Sequence, residues 1–211
     1  MATSPRFWNW ISKSYSNNPV ADQASYARKL EQTQAVVRPD WQMLEVGCGT
    51  GTTAITNAPF LEIIHAIDFS PKMIDIAKAR AAEAGVSNVT FEVGTLESID
   101  ANARYDAIAM HSLLHLLPNW KEAIQRAYDL CEPGGVFISS SSCLRGPEKI
   151  LAPIFTLLSP LNILPRVVIL TQEKLHEEIV KAGFEIEIEW RAGDEPNPSG
   201  AVFIIARKPL G

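Results

Sequence analysis

Three glycines stand at alternate positions, Gly47, Gly49 and Gly51, straight after an apolar run that ends at Val46. Backbone without a Cβ can turn tightly and approach a ligand closely. Two carboxylates frame the loop: Glu45 comes just before it, and Asp68 closes the next apolar run. A carboxylate in the place of Asp68 can accept both hydroxyls of a ribose. One in the place of Glu45 repels pyrophosphate and suits a cationic amine. Each residue also has a purely structural use: the glycines as a tight turn, Glu45 as an ion-pair partner, Asp68 as a helix cap. The spacing departs from the dinucleotide pattern G-x-G-x-x-G, because the third glycine comes one residue early and Thr52 stands where it would fall. No Gly-Lys-Ser/Thr follows, so this is not a Walker loop. The set asks for a ligand with a ribose, an amino group and no phosphate.

A second group lies in "MHSLLHLLP", where His111 and His115 follow an apolar strand. Imidazole is the common general base near neutral pH. His111 directly follows the strand and is expected to face the reacting centre, as a base or a polar lining residue. His115 is expected to serve structure, with a substrate or lid contact as the alternative. Their spacing of four fits a metal pair on a helix, but no third ligand stands out and none is assigned.

The surrounding elements must hold these groups in place. QMLEVG (42–47), LEIIHAID (61–68), VTFEVG (89–94), YDAIAM (105–110) and GVFISSS (135–141) read as buried strands. Between them, Pro71 to Ala84 has helical spacing, with Met73, Ile74, Ala77 and Ala81 on one face, Ser70 as N-cap and Pro71 at the first position. Asn119 to Cys131 is helical too, and Pro133-Gly134-Gly135 then turns the chain into strand five. Strands alternating with helices predict an α/β fold, a doubly wound, mostly parallel sheet with helices on both faces. FEIEIEW (184–190) and AVFIIA (201–206), across the turn-rich stretch from Gly193 to Gly200, predict an antiparallel pair at a sheet edge. The first forty residues contain no strand and read as two outer helices.

Composition narrows the choices. A chain of 211 residues suits one domain with a sizeable core. Its net charge of -5 argues against nucleic-acid partners. Cys48, Cys131 and Cys143 lack metal spacing and an odd number cannot all pair, which fits a reducing, cytoplasmic setting. The N-terminus lacks the pattern of a signal peptide. Residues 150–170 are greasy, but Pro153, Pro160, Pro165 and Arg166 would break a spanning helix, so no membrane span is expected.

S-adenosylmethionine has a ribose, an amino group and no phosphate. The ordered set E-V-G-C-G-T-G, I-D-F-S-P-K-M, L-L-H-L-L-P and C-E-P-G-G-V-F resembles the class I S-adenosylmethionine-dependent methyltransferases. It is most similar to the small-molecule group that includes the ubiquinone and menaquinone biosynthesis enzymes. The resemblance runs from about Glu45 to Ser141. It implies a Rossmann-like sheet of seven strands, the last antiparallel. By the same resemblance, Glu45, Gly47 and Gly49 line the methionine part of the cofactor, Cys48 between them is a further cofactor-binding position, and Gly51 shapes the turn. Asp68 holds the ribose, and Phe69 and Met73 cover the adenine. Family members often place an acid after strand three. This chain has Gly94-Thr95-Leu96, so Thr95 and the Leu96 backbone are expected at the adenine. Met110 falls near the sulfonium.

Methyl transfer is an in-line displacement that gains from alignment and, for oxygen or nitrogen acceptors, from a base. The polar-aromatic motif of nucleic-acid amino-methyltransferases, the acid of catechol-type metal sites and the paired glutamates of arginine methyltransferases are all missing. A small, metal-independent acceptor is therefore expected. Its selection falls to two regions. Residues 1–38 form a helical cap carrying Phe7, Trp8, Trp10, Tyr15 and Tyr26, with Tyr15 and Tyr26 set to meet the sulfonium or line the acceptor pocket. Residues 143–172 form an apolar, lid-like insertion, open to reading as a pocket for an apolar acceptor, a dimer surface or a membrane-surface contact. The cofactor core spans 39–142, and 173–211 hold the last helix and strand pair. Both monomer and homodimer remain open.

Overall fold

The computed structural model describes residues 5–17, 22–143, 168–192 and 200–211. Seven strands form one sheet: β1 Gln42–Val46, β2 Ile63–Asp68, β3 Val89–Val93, β4 Tyr105–His111, β5 Cys131–Ser142, β6 Glu185–Arg191 and β7 Ala201–Arg207. They lie in the order β3-β2-β1-β4-β5-β7-β6. The first five run parallel to one another, and β7 runs antiparallel to both β5 and β6. The strand order reverses between β1 and β4, which opens a crevice at the carboxyl ends of those strands.

Alternating side chains on each buried strand feed two cores. Leu44, Ile108 and Phe137 face one side with Ala123, Ile124 and Ala127 of α5 (Trp120–Leu130) and Leu175 and Ile179 of α6 (Gln172–Lys181). Met43, Ala107 and Ile138 face the other with Ala54 of α3 (Thr52–Asn57) and Ile74, Ala77 and Ala81 of α4 (Pro71–Glu83). In α4 the expected cap is present: the Ser70 hydroxyl accepts from the Met73 N–H at 3.3 Å, and Pro71 takes the first turn.

One expectation changes. The Pro133-Gly134-Gly135 turn lies inside β5, as an irregularity where pairing skips from Tyr105–Cys131 to Ala107–Val136. The C-terminal antiparallel pair forms one edge of the sheet, as expected. β7 inserts between β5 and β6 and is buried along Val202 to Ala206, and β6 alone forms the rim. The sequences carry the difference, since AVFIIA is continuously apolar while FEIEIEW alternates.

Two helices precede the sheet, α1 Pro5–Asn17 and α2 Gln23–Val36. Polar contacts tie them down. The Asn9 side chain of α1 accepts from the Ser70 hydroxyl at 2.7 Å, and the Ser16 carbonyl accepts from Arg80 at 2.5 Å. On α2, Gln32 accepts from the Trp190 indole at 2.6 Å, Gln34 donates to Asn57 at 3.3 Å, and Arg28 stacks 4.3 Å above the Trp190 ring. The core of the expected lid, 144–167, lies outside the described residues. Among the described residues no helix is long and apolar enough to cross a membrane.

Candidate active site

The glycine loop joins β1 to α3 in left-handed backbone, with φ of 72° at Gly47, 54° at Gly49 and 77° at Gly51. The N–H groups of Gly47 and Cys48 both donate to the Ile67 carbonyl, at 2.8 and 3.0 Å, and so seat the loop against β2. Asp68 ends β2 beside it. One carboxylate oxygen accepts from the Gly49 N–H at 3.0 Å and the other from the Ser70 N–H at 2.8 Å. The carboxylate thus pins loop to helix while each oxygen keeps lone-pair capacity for a further donor. Burial pushes its pKa up, and the two amide donors pull against that.

These groups open onto a cavity of about 140 Å³. Gly47, Gly49, Asp68, Phe69, Met73, Thr95, Leu96 and His111 all line it. So do Trp8, expected only as part of the aromatic cap, and residues that sequence reasoning left out. Trp8 reaches it from α1, Leu113, Leu116 and Leu117 from the segment after β4, and Glu97 and Asn119 from the rim. Glu97 places a carboxylate after β3 where Thr95 and Leu96 alone were expected, and Asn119 donates to it at 3.3 Å. The signal was present as "GTLES", but the acid falls one residue beyond Leu96, in a short 3₁₀ turn that the pattern does not announce.

Three residues expected at the cofactor, Met110, Cys48 and Glu45, do not line this cavity, and Gly51, expected to shape the turn, packs beneath it. Met110 is wholly buried and packs with the core of α5. Cys48 is buried, and its thiol is held well above the ordinary range by desolvation and the nearby Glu45 and Asp68 carboxyls. At Gly51 a Cβ would meet the Ala77 Cβ and the Phe91 ring, each at 2.8 Å, so that glycine serves close packing of α4 and β3 under the loop. Glu45, expected to face the crevice, is 1% exposed, and one of its oxygens is without a hydrogen-bond partner. Desolvation lifts its pKa to about 8.

His111 ends β4 with both ring nitrogens shut off from water and unpartnered. Burial first, and the Lys29 charge second, depress its pKa to about 3 and keep it neutral at pH 7. Ser112, which follows it, is left-handed at φ 52° and donates its N–H to the Ser140 carbonyl at 2.7 Å. His115 does not line the cavity. Its ring accepts from the Ser142 N–H at 3.4 Å and its carbonyl from the Val168 N–H at 2.7 Å, which ties the turn after β4 to β5 and to the segment before α6. Tyr26 lines a second, smaller pocket with Lys29, Leu30, Thr33, Thr53 and His111. The Tyr15 side chain lies outside the described residues. Among the described residues no group of three or more His, Cys, Asp or Glu side chains is placed to hold a metal.

The family described as "Methyltransferase domain" matches residues 43–135, from β1 into β5. Residues 43–135 are thus similar to a methyltransferase domain. Over 105 residues the chain is 28% identical to the uncharacterized methyltransferase YcgJ of Bacillus subtilis, a match covering 49% of this chain and 42% of that protein. Over 102 residues it is 31% identical to a ubiquinone biosynthesis O-methyltransferase of Shewanella, covering 47% and 43%. The chain thus spans less than half the length of these relatives. Among solved structures, YcgJ from B. subtilis superposes with a TM-score of 0.70 at 18% identity, over 88% of this chain and 100% of that one. The magnesium protoporphyrin IX methyltransferase of Synechocystis, with S-adenosylhomocysteine bound, gives 0.71 at 16% identity over 98% and 95%. At such identities the superpositions establish the methyltransferase fold.

Proposed function

We propose that this chain is an S-adenosylmethionine-dependent methyltransferase for a small acceptor with an apolar body. The observation that carries the reading is one cavity that gathers Gly47, Gly49, Asp68, Phe69, Met73 and His111. A phosphate-free adenosyl ligand fits these residues. The bare loop admits close approach, the Asp68 carboxylate offers lone pairs to ribose hydroxyls, and Phe69, Met73 and Leu96 give an apolar slot for a planar base. Bound there, the cofactor supplies a methyl group on a positively charged sulfur.

The chain's own contribution is alignment and a proton acceptor. Trp8, Leu113, Leu116 and Leu117 wall the cavity with apolar surface that suits an apolar acceptor and keeps water off the reacting atoms. Neutral His111 can accept a hydrogen bond from an acceptor hydroxyl or amine and take its proton.

Calorimetric titration of the pure protein with S-adenosylhomocysteine, beside NADH, tests the cofactor. Micromolar binding of the first, none of the second, and loss in Asp68→Ala are expected. Binding of NADH alone would replace this reading with a nicotinamide-dependent oxidoreductase. Product formation from radiolabelled cofactor across small phenols and amines then tests transfer. Binding without transfer to any acceptor would favour a catalytically silent, ligand-binding member of the fold.

A further inference from the structure

Beneath α2, the smaller pocket gathers a half-buried ammonium and polar groups that have no protein partner. Lys29 points from α2 toward the end of β5, where its ammonium reaches the Ser140 hydroxyl at 3.4 Å and stands 5.7 Å above the Tyr26 ring. Among the described residues no carboxylate lies within 4.0 Å of it. Asp22, the acid whose field reaches it, caps α2 by accepting from the Ser25 N–H at 2.9 Å. Burial pulls the Lys29 pKa down, as expected for an ammonium short of counter-charge. Around it, the Tyr26 hydroxyl and both His111 nitrogens are buried without partners. One cation and two orphaned hydrogen-bonding groups thus converge on a single space. A half-buried ammonium and unpaired polar groups are costly unless something anionic or polar completes them.

The size and place of that space limit what can occupy it. It amounts to about 10 Å³, room for one oxygen-sized atom. His111 lines both this pocket and the large cavity. The large cavity draws on the ends of β1 to β4, whereas Lys29 sits over Ser140 of β5, one strand further on. Thr53, two residues after Gly51 at the start of α3, lines the same space, so a group held there lies between His111 and the helix that follows the glycine loop.

We propose that the Lys29–Tyr26–His111 pocket is an oxyanion site that selects acceptors with an ionisable hydroxyl, a phenol or enol, and makes the reaction an O-methylation. The inference rests on the methyltransferase reading above. The hydroxyl proton passes to His111. The acceptor oxygen, stabilised by the Lys29 ammonium and the Tyr26 hydroxyl, forms the new bond to the methyl carbon. The sulfur–methyl bond breaks, its electron pair stays on sulfur, and His111 returns the proton to water. Charge balances, because the anion forms beside one cation and is consumed by another. An amine acceptor would bring a donor and, if protonated, a second positive charge to the same place.

The test uses 4-nitrophenol, whose visible absorbance distinguishes phenolate from phenol, added to full-length protein saturated with S-adenosylhomocysteine. Wild-type protein is expected to bind it and raise its phenolate fraction above that of free dye at the same pH. Lys29→Met, which keeps most of the stem and removes the charge, should weaken dye binding at least tenfold and abolish the spectral shift. Its S-adenosylhomocysteine affinity should stay within twofold of wild type. Lys29→Arg should restore part of the shift, and circular dichroism of both variants reports folding. Three results overturn the proposal: a Lys29→Met protein that binds the dye as wild type does; one that loses S-adenosylhomocysteine instead, which would assign Lys29 to the cofactor's carboxylate; and wild-type protein that binds S-adenosylhomocysteine but neither 4-nitrophenol nor 4-nitrocatechol. Failure of wild type to bind S-adenosylhomocysteine at all would instead sink the methyltransferase reading on which this one stands.

Discussion

Glu45 and His111 sit on opposite sides of the same electrostatic problem. Glu45 is buried and the His111 ring nitrogens are shut off from water, so each is held in its neutral form, one with a raised pKa and the other with a depressed one. For Glu45 the folded state holds a proton that the unfolded chain releases from about pH 4.5. Its contribution to stability is therefore full below that pH and declines as pH rises toward 8, at up to about 1.4 kcal/mol per pH unit. His111 acts in reverse: stability is present above its ordinary value of 6.5 and is lost as pH falls toward 3. Glu45→Gln removes the first of these without emptying the space. Thermal melts from pH 4.5 to 8.5 should show the variant gaining on wild type steadily as pH rises, with the curves meeting near pH 4.5. Parallel curves would mean that Glu45 ionises freely in the folded protein.

At the scale of elements, the loop after β1 works because two helices brace it. Gly51 lets β3 and α4 close beneath the loop, and alanine there would meet Ala77 and Phe91 at 2.8 Å while holding φ at 77°. Overpacking and left-handed strain together should cost roughly 2–4 kcal/mol, seen as a lower urea midpoint at unchanged slope. Arg80 on α4 is the second brace. It donates to the Thr50 and Thr52 hydroxyls at 2.7 and 3.0 Å and to the Ser16 carbonyl, and so joins the loop to α1. Arg80→Ala should speed amide exchange across Pro5–Asn17 far more than across the central strands. Equal acceleration everywhere would show that α1 is not a separately held element.

The whole molecule divides into a sheet buried on both faces and two polar-clamped helices laid over its ligand end. Ligand binding should therefore tighten the second part most. S-adenosylhomocysteine at about a hundred times its dissociation constant is expected to stabilise the fold by roughly 2.7 kcal/mol, with exchange slowing chiefly in α1 and α2. Stabilisation without any slowing in those helices would mean that the cap takes no part in binding.

The sequence alone was enough for the α/β class, the five parallel strands, the capped α4 and the loop with Asp68, because these follow from short-range periodicity and from residue types with few conformational uses. It located His111 for the same reason, at the end of an unmistakable strand. Its reach ended where position depends on residues distant in the chain. Glu45 and Asp68 look alike as strand-end acids, yet one lies behind the cavity wall and the other lines the cavity. Gly51 reads as part of the ligand loop until α4 and β3 are seen to press against it. Lys29 carries no local signal at all: a lysine on a polar helix ordinarily faces water. Tyr26 is its neighbour one turn back on α2, but only the tertiary placement of that helix brings the charge beside Ser140 and His111. The burial that leaves those groups short of partners exists only once the sheet and the cap have closed around them.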